Sequence, residues 1–249
     1  MNTRISDLLR PDGRLLVRPT EEWTGEAAAE AVDLANSRRV PVVTHVDEQE
    51  PGELALLTGA GFGVSRRDAV VAFPVEPALA ALIDADLPEG IRLRSAAEVL
   101  EDRLRLLDDE LRQDVPGTSG WRSTPEEFRD QTFADPAFDP NTYLVAVDEE
   151  SGEYVGIVRI WMNPRGPRLG FLGVRREHRR RGIGLALLAA ALRAVHATGA
   201  SEVTTEHDLT NEVSTAIAER LGARRLGTTI ELAYEPQPVS SGREISGVC

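Results

Sequence analysis

The sequence predicts an α+β protein: a mixed sheet of the α/β type with helices flanking it. Three observations carry that expectation. Apolar, β-branched runs alternate with helix-forming stretches along most of the chain, which favours a sheet carrying helices over a bundle or a sandwich. At 249 residues and 41% hydrophobic content the chain can bury a sizeable core. An internal half-repeat is also visible: VVTHVDEQ, ALLTGAGF and DAVVAFPV in the first part resemble EVTTEHDL, AIAERLGA and GTTIELAY in the last.

The elements follow in order. Leu15 to Val17 is a short apolar segment, Gly25 to Asn36 holds good helix formers, and Val40 to Val46 is a β-branched run. A helical stretch ending at Gly61-Phe62 and an alternating strand, Ala69 to Val75, complete a β-α-β-α-β unit over residues 1–76. Residues 77–90 read as a connector, with a short helix from Ala78 to Ile83 closed by DADLPEG. A larger unit over residues 91–236 opens with strand Ile91 to Arg94, amphipathic helix Ala96 to Arg112 and the Pro/Gly loop DVPGTSGW. Pro125 to Phe133 is a helix capped by Ser123 or Thr124, with Glu126 and Glu127 in its first turn, where carboxylates suit the helix dipole. Strands Thr142 to Val147, Tyr154 to Asn163 and Arg168 to Val174 come next. Helix Gly182 to Thr198, strand Glu202 to Glu206, helix Glu212 to Leu221 and strand Thr228 to Tyr234 finish the unit. The tail, residues 237–249, is small and polar and is expected to be flexible.

Charge and cysteine content narrow the function. Lys and Arg number 28 against 41 Asp and Glu, a formal charge of -13, which argues against nucleic acid or an anionic membrane as partner. The N-terminus has no apolar leader and no apolar run is long enough to span a membrane, so a cytoplasmic protein is expected. A single cysteine, Cys249, excludes a disulfide framework, and four scattered histidines give no metal-ligand spacing.

Against that acidic background, RREHRRR at residues 175–181 is a local exception, and GIG followed by an apolar helix comes directly after it. A strand-to-helix turn with glycines presents unpaired N–H groups and the positive end of a helix, which suits phosphate oxygens. The Walker pattern fails because Leu185 stands where lysine is needed, and GxGxxG fails at Ala186 and Leu187.

Arg179-Arg180-Arg181-Gly182-Ile183-Gly184 fits (Q/R)xxGx(G/A), and the chain here resembles the GCN5-related N-acetyltransferases, the GNAT superfamily. Asn211 followed by Leu221-Gly222-Ala223 is similar to the family's NxxAxxxYxxxGF signature. The resemblance covers residues 91 to 236 and implies the acyl-CoA N-acyltransferase fold, with residues 1–76 a degenerate partial copy. It implies acetyl-CoA as co-substrate, its diphosphate on Arg179, Arg180, Arg181, Gly182, Ile183, Gly184 and Leu185, and its pantetheine arm along Leu172, Gly173 and Val174. Asn211 falls where the family contacts that arm. It implies direct attack by a primary amine on the thioester. The acceptor is expected to be a small molecule, and a homodimer is an assembly the reading leaves open.

Two family helpers are absent. RLGFLGV at residues 168–174 has no carboxylate, and the tyrosine position is Ala218. Glu206 and His207, at the end of the following strand, are the substitute bases, and alternation puts them on opposite faces. The missing helpers also allow a non-catalytic acyl-CoA-binding regulator. Two-module family members, mycothiol synthases among them, resemble this layout, and Thr205, His207 and Asn211 are similar to their TxNxxxN, although Ala218 departs from the second asparagine that the pattern supplies.

Overall fold

A computed structural model describes residues 4–237. Cys249 and all of the tail beyond residue 237 lie outside the described residues. The elements run β1 (Ile5–Leu9), β2 (Leu15–Pro19), α1 (Gly25–Arg38), β3 (Val42–Asp47), α2 (Pro51–Gly59), β4 (Gly63–Pro74) and α3 (Val75–Ala81). They continue with β5 (Ile91–Ser95), α4 (Glu101–Arg112), α5 (Pro125–Asp130), β6 (Tyr143–Asp148), β7 (Tyr154–Asn163) and β8 (Gly166–Val174). The last are α6 (Ile183–Ala197), β9 (Glu202–Asp208), α7 (Glu212–Arg220) and β10 (Arg224–Tyr234).

All ten strands form one mixed sheet in the order β1-β2-β3-β10-β4-β9-β8-β7-β6-β5. The α+β expectation holds. What alternation along the chain did not show is the exchange at the centre: β10 lies between β3 and β4, and β4 lies between β10 and β9. The half-repeat explains this order. In β3-α2-β4 and in β9-α7-β10 alike, the two strands of one copy stand apart and admit the last strand of the other. All three pairings are antiparallel, with Thr228 opposite Ala69 and His207 opposite Ala69 on the other side. The N-terminal segment and the larger unit therefore share backbone ladders.

Helices cover the sheet unequally. On one face α3 and α6 bury Phe73, Val158, Ile160, Leu187, Leu188 and Val203, while α1 and α2 bury Val17, Val42, Ile230 and Leu232. On the other face α4 and α5 cover β6 to β8 through Leu104, Leu107, Phe128, Tyr143, Ile157 and Phe171. At about 25 cal/mol per Å² of apolar surface, burial on this scale is the main stabilising term.

The element bounds differ from the sequence reading in several places, for example at α3, β4, α5 and β10, and two departures have plain local reasons. The helix expected from Ala96 is a 3₁₀ turn, Ala96–Glu98, capped by Ser95, and α4 starts anew at Glu101 after Val99 turns extended. Strand β1 was not anticipated, because ISDLL alternates too briefly; it forms by antiparallel pairing with β2. Thr124 rather than Ser123 caps α5, in a reciprocal box with Glu127.

Candidate active site at the splayed centre of the sheet

Strands β8 and β9 are parallel neighbours, but only Arg168 with Thr204 and Leu169 with Thr205 are in register. Beyond Leu169 the strands part, so the last residues of β8, Phe171 to Val174, have β7 on one side and an opening on the other. The parting coincides with a bulge: Arg159 faces Phe171 and Ile160 faces Leu169, leaving Gly170 as the extra residue. A Cβ there would sit 2.6 Å from Trp161 Nε1, so any larger residue requires the indole to move. Leu172, Gly173 and Val174 thus border a gap between two strands, where an extended ligand can take backbone hydrogen bonds.

The basic loop closes one end of that gap. After a 3₁₀ turn at Arg176–His178, Arg180 (φ 58°) and Gly182 (φ 85°) adopt left-handed conformations that reverse the chain into α6. Helix α6 has no side-chain cap and no acidic residue in its first turn, and the first N–H to bond back is that of Ala186, to Gly182 O at 3.0 Å. The N–H groups of Ile183, Gly184 and Leu185 therefore have no acceptor within the helix. Arg180 and Arg181 are exposed beside them. A groove of about 500 Å³ continues from Leu185 along α7 past Val213, Ala216, Ile217 and Arg220. This donor set fits a diphosphate and a chain leading from it into the gap. Among the described residues, no group of three or more His, Cys, Asp or Glu side chains is placed to hold a metal ion.

The predicted residues do not all serve alike. Ile183 is buried in the core and offers only its backbone. Arg179 turns away from the loop mouth: its Nε donates to Val174 O at 2.9 Å, and its guanidinium shares the Asp114 carboxylate with Arg176. Hydrogen bonds from Arg176 and Arg179 hold the Asp114 carboxyl at about 2. Asn211 caps α7, its Oδ1 accepting from Ser214 N at 3.1 Å, which leaves its amide NH₂ free of that duty.

Glu206 and His207 do point to opposite faces. Glu206 is exposed on the α4 side, 3.5 Å from Arg168, beside the parting of β8 and β9. His207 lies on the side of Val203 and α7, where burial lowers its pKa against the opposing pull of Asp68. Ala218 is buried with Ala69 and Val71, so the missing tyrosine is replaced by packing alone.

Several charged clusters on the α4 face were not legible in the sequence. On the α4 face Asp108 lies between two arginines, 2.5 Å from Arg112 Nε and 3.5 Å from Arg159 Nη1. Arg159 stacks on Tyr143 and Trp161, and Arg112 on Trp121 and Phe171. The i,i+4 spacing of Asp108 and Arg112 was the available signal. Next to this, Glu231 is buried beneath Arg10, Arg14, Arg66 and His45. Burial pushes its carboxyl up, but the His45 hydrogen bond, the Arg66 and Arg14 charges and the Ser65 hydroxyl outweigh it and hold it below the usual carboxylate range.

Comparison with known proteins bears on the family and the fold. The acetyltransferase (GNAT) family model matches residues 105–223. A mycothiol acetyltransferase of Clavibacter michiganensis subsp. michiganensis is 28% identical over 216 residues, 83% of this chain and 66% of its own length. In fold, the chain is similar to a GCN5-related N-acetyltransferase from Sphaerobacter thermophilus, with TM-score 0.71 and 23% identity over 94% of this chain and 76% of that one. It is also similar to a tandem GNAT protein from the clavulanic acid biosynthesis pathway, with TM-score 0.64 and 17% identity over 91% and 76% of the two chains. Residues 105–223, whose bulged strand, parted sheet and uncapped glycine loop are described above, thus form a domain of the acetyltransferase (GNAT) family.

Proposed function

We propose that this protein transfers an acetyl group from acetyl-coenzyme A to a primary amine of a small acceptor. The observation that carries the reading is the conjunction of the β8–β9 parting with the uncapped start of α6. The coenzyme supplies an activated acyl carbon. The N–H groups of Ile183, Gly184 and Leu185, with Arg180 and Arg181, hold its diphosphate through charge-assisted hydrogen bonds. Backbone groups of Leu172, Gly173 and Val174 take the arm as an added strand, and an N–H there polarises the carbonyl to be attacked. Glu206, on the acceptor face, receives the ammonium proton; the free amine then attacks the thioester carbon, the C–S bond breaks, and the second amine proton leaves with the departing sulfur as CoA thiol. His207, turned toward α7, takes no proton.

A second reading, a non-catalytic acyl-CoA-binding regulator, draws on the absence of a carboxylate on β8 and on the buried Ala218. Thiol release from acetyl-CoA across a panel of amines, run beside a calorimetric coenzyme titration, separates the two. Binding with turnover supports the transferase, and binding without turnover across the panel supports the regulator. No binding sinks both.

A further inference from the structure

Arg112 ends α4 with its guanidinium fixed on three sides. Its Nε donates to Asp108 at 2.5 Å, and its plane is flanked by Trp121 at 4.5 Å and Phe171 at 5.1 Å from the ring centroids. Its two terminal nitrogens have no hydrogen-bond acceptor among the described residues, and neither is a buried orphan, so that edge is open to solvent. The opening lies on the acceptor face, because Phe171 is the β8 residue just past the bulge and points toward α4.

No carboxylate nearby is available to that edge. Asp108 is shared with Arg159, Asp109 takes Arg105 and the Ser123 N–H, Glu110 takes Arg175, and Asp114 takes Arg176 and Arg179. Arg112 and Arg159 with Asp108 leave one surplus positive charge, and both guanidinium groups are largely buried, at 15% and 7% side-chain exposure. Asp108 Oδ1, Arg159 Nε and Tyr143 Oη are buried there without a hydrogen-bond partner. A partly desolvated excess of positive charge favours an anion at its one open edge. A guanidinium held rigid by a carboxylate and two rings, with its outer fork free, has the planar two-donor geometry that matches a carboxylate.

We infer that the acceptor is an amine that also carries a carboxylate, and that Arg112 binds this carboxylate. This rests on the acetyltransferase reading and names the substrate class at its acceptor face. Two acids near this face are already engaged: Asp114 by Arg176 and Arg179, and Glu127 by Thr124 N.

The test pairs each carboxylate with its amide. Acetyl transfer is measured to glycine, β-alanine and glutamate, and to the corresponding carboxamides, with 2-aminoethylphosphonate as a tetrahedral anion. Product binding is measured separately by titrating N-acetylglycine, N-acetyl-β-alanine and N-acetylglutamate, and their amides, into the CoA-loaded protein. At least one carboxylate is expected to exceed its amide by about ten- to a hundred-fold in kcat/KM or affinity, the range of a charge-assisted hydrogen-bonded pair. In Arg112→Gln that ratio falls to about one, and in Arg112→Lys, which keeps charge without the fork, it falls part of the way. Equal use or binding of acids and amides, no binding of either, a preference for the phosphonate, or a preference that survives Arg112→Gln overturns the inference. CoA titration of the same preparations shows whether the coenzyme reading has failed as well.

Discussion

The Arg66 guanidinium, on strand β4, donates to the Pro116 carbonyl at 2.8 Å, and a side chain on Gly117 would collide with that same guanidinium. Arg14 grips the adjoining Gly117 carbonyl at 2.6 Å, and both arginines meet at Glu231. The loop at residues 113–121 is thus tied at one end to the N-terminal segment and at the other, through Asp114, to Arg176 and Arg179 of the basic loop. Arg66→Ala removes one tie and leaves Glu231 with Arg10 and Arg14. We expect the acceptor KM to rise about three- to tenfold, the scale of one hydrogen bond to a charged group, while coenzyme affinity changes less than twofold. Steady-state kinetics with a CoA titration check this, and a loss confined to coenzyme affinity would contradict it.

Asp114 gives the acid limb of stability. Its carboxyl sits at about 2 in the fold against an ordinary 3.8, because Arg176 and Arg179 favour the charged form. A depressed carboxylate contributes stability that is complete above the unfolded value and lost as pH falls through the folded one. The urea midpoint of Asp114→Asn should therefore lie below wild type at pH 5 and meet it near pH 2. The carboxylate is solvent-accessible, so the gap stays under about 1 kcal/mol. A gap that widens on acidification would show that Arg176 and Arg179 are not its source.

Gly182 shapes the basic loop before α6, the loop to which the coenzyme diphosphate is proposed to bind. Its φ of 85° is left-handed, and a Cβ there would lie 3.8 Å from the Asp86 carbonyl of the connector, so space alone does not forbid a side chain. Gly182→Asp would cost about 1–2 kcal/mol in backbone strain, partly offset by about 0.3–1 kcal/mol from a carboxylate at the helix start. That carboxylate would occupy the N–H groups assigned to the diphosphate. Calorimetry should show CoA affinity reduced more than tenfold, with thermal unfolding moved by only a few degrees. Undiminished CoA binding would remove the loop from the site.

Glu206 and His207 make opposite predictions from neighbouring positions. Glu206→Gln keeps the shape beside Arg168 but cannot take a proton, so kcat should fall about 10²- to 10⁴-fold with coenzyme affinity retained. His207→Gln, on the α7 side, should stay within about threefold of wild type. The reverse ranking would move the base to the other face of the sheet.

Part of this site was readable before folding, and the physical reason is locality. The loop from Arg179 to Gly184 is contiguous, so its glycines, its cations and the apolar helix after it could be seen together. Alternation alone set Glu206 and His207 apart. Arg66, Arg14 and Glu231 come from three distant segments, and only the strand exchange brings them to one loop. Asp114 gives no local signal, because its partners lie 62 and 65 residues away. The half-repeat was likewise visible as letters, but nothing in its periodicity reveals that each copy leaves a strand-wide gap for the other.

That exchange leads to the most direct prediction about organisation. Residues 1–86 alone would hold β3 and β4 apart with nothing between them, while residues 87–237 alone would leave β9 without β4 and β10 without either neighbour. The seven residue pairs from Asp68 with Asp208 to Pro74 with Glu202 would be lost from β9, and with them Phe73 and Val75, both fully buried in the main core. Each fragment then exposes unpaired strand edges and an apolar face, the combination that drives aggregation. Expressed separately, the fragments should be insoluble or unfolded by circular dichroism; expressed together, they should copurify as a 1:1 complex that binds CoA. If residues 87–237 alone form a soluble monomer with native coenzyme affinity, the swapped strands are an addition to the fold and not a part of what holds it together.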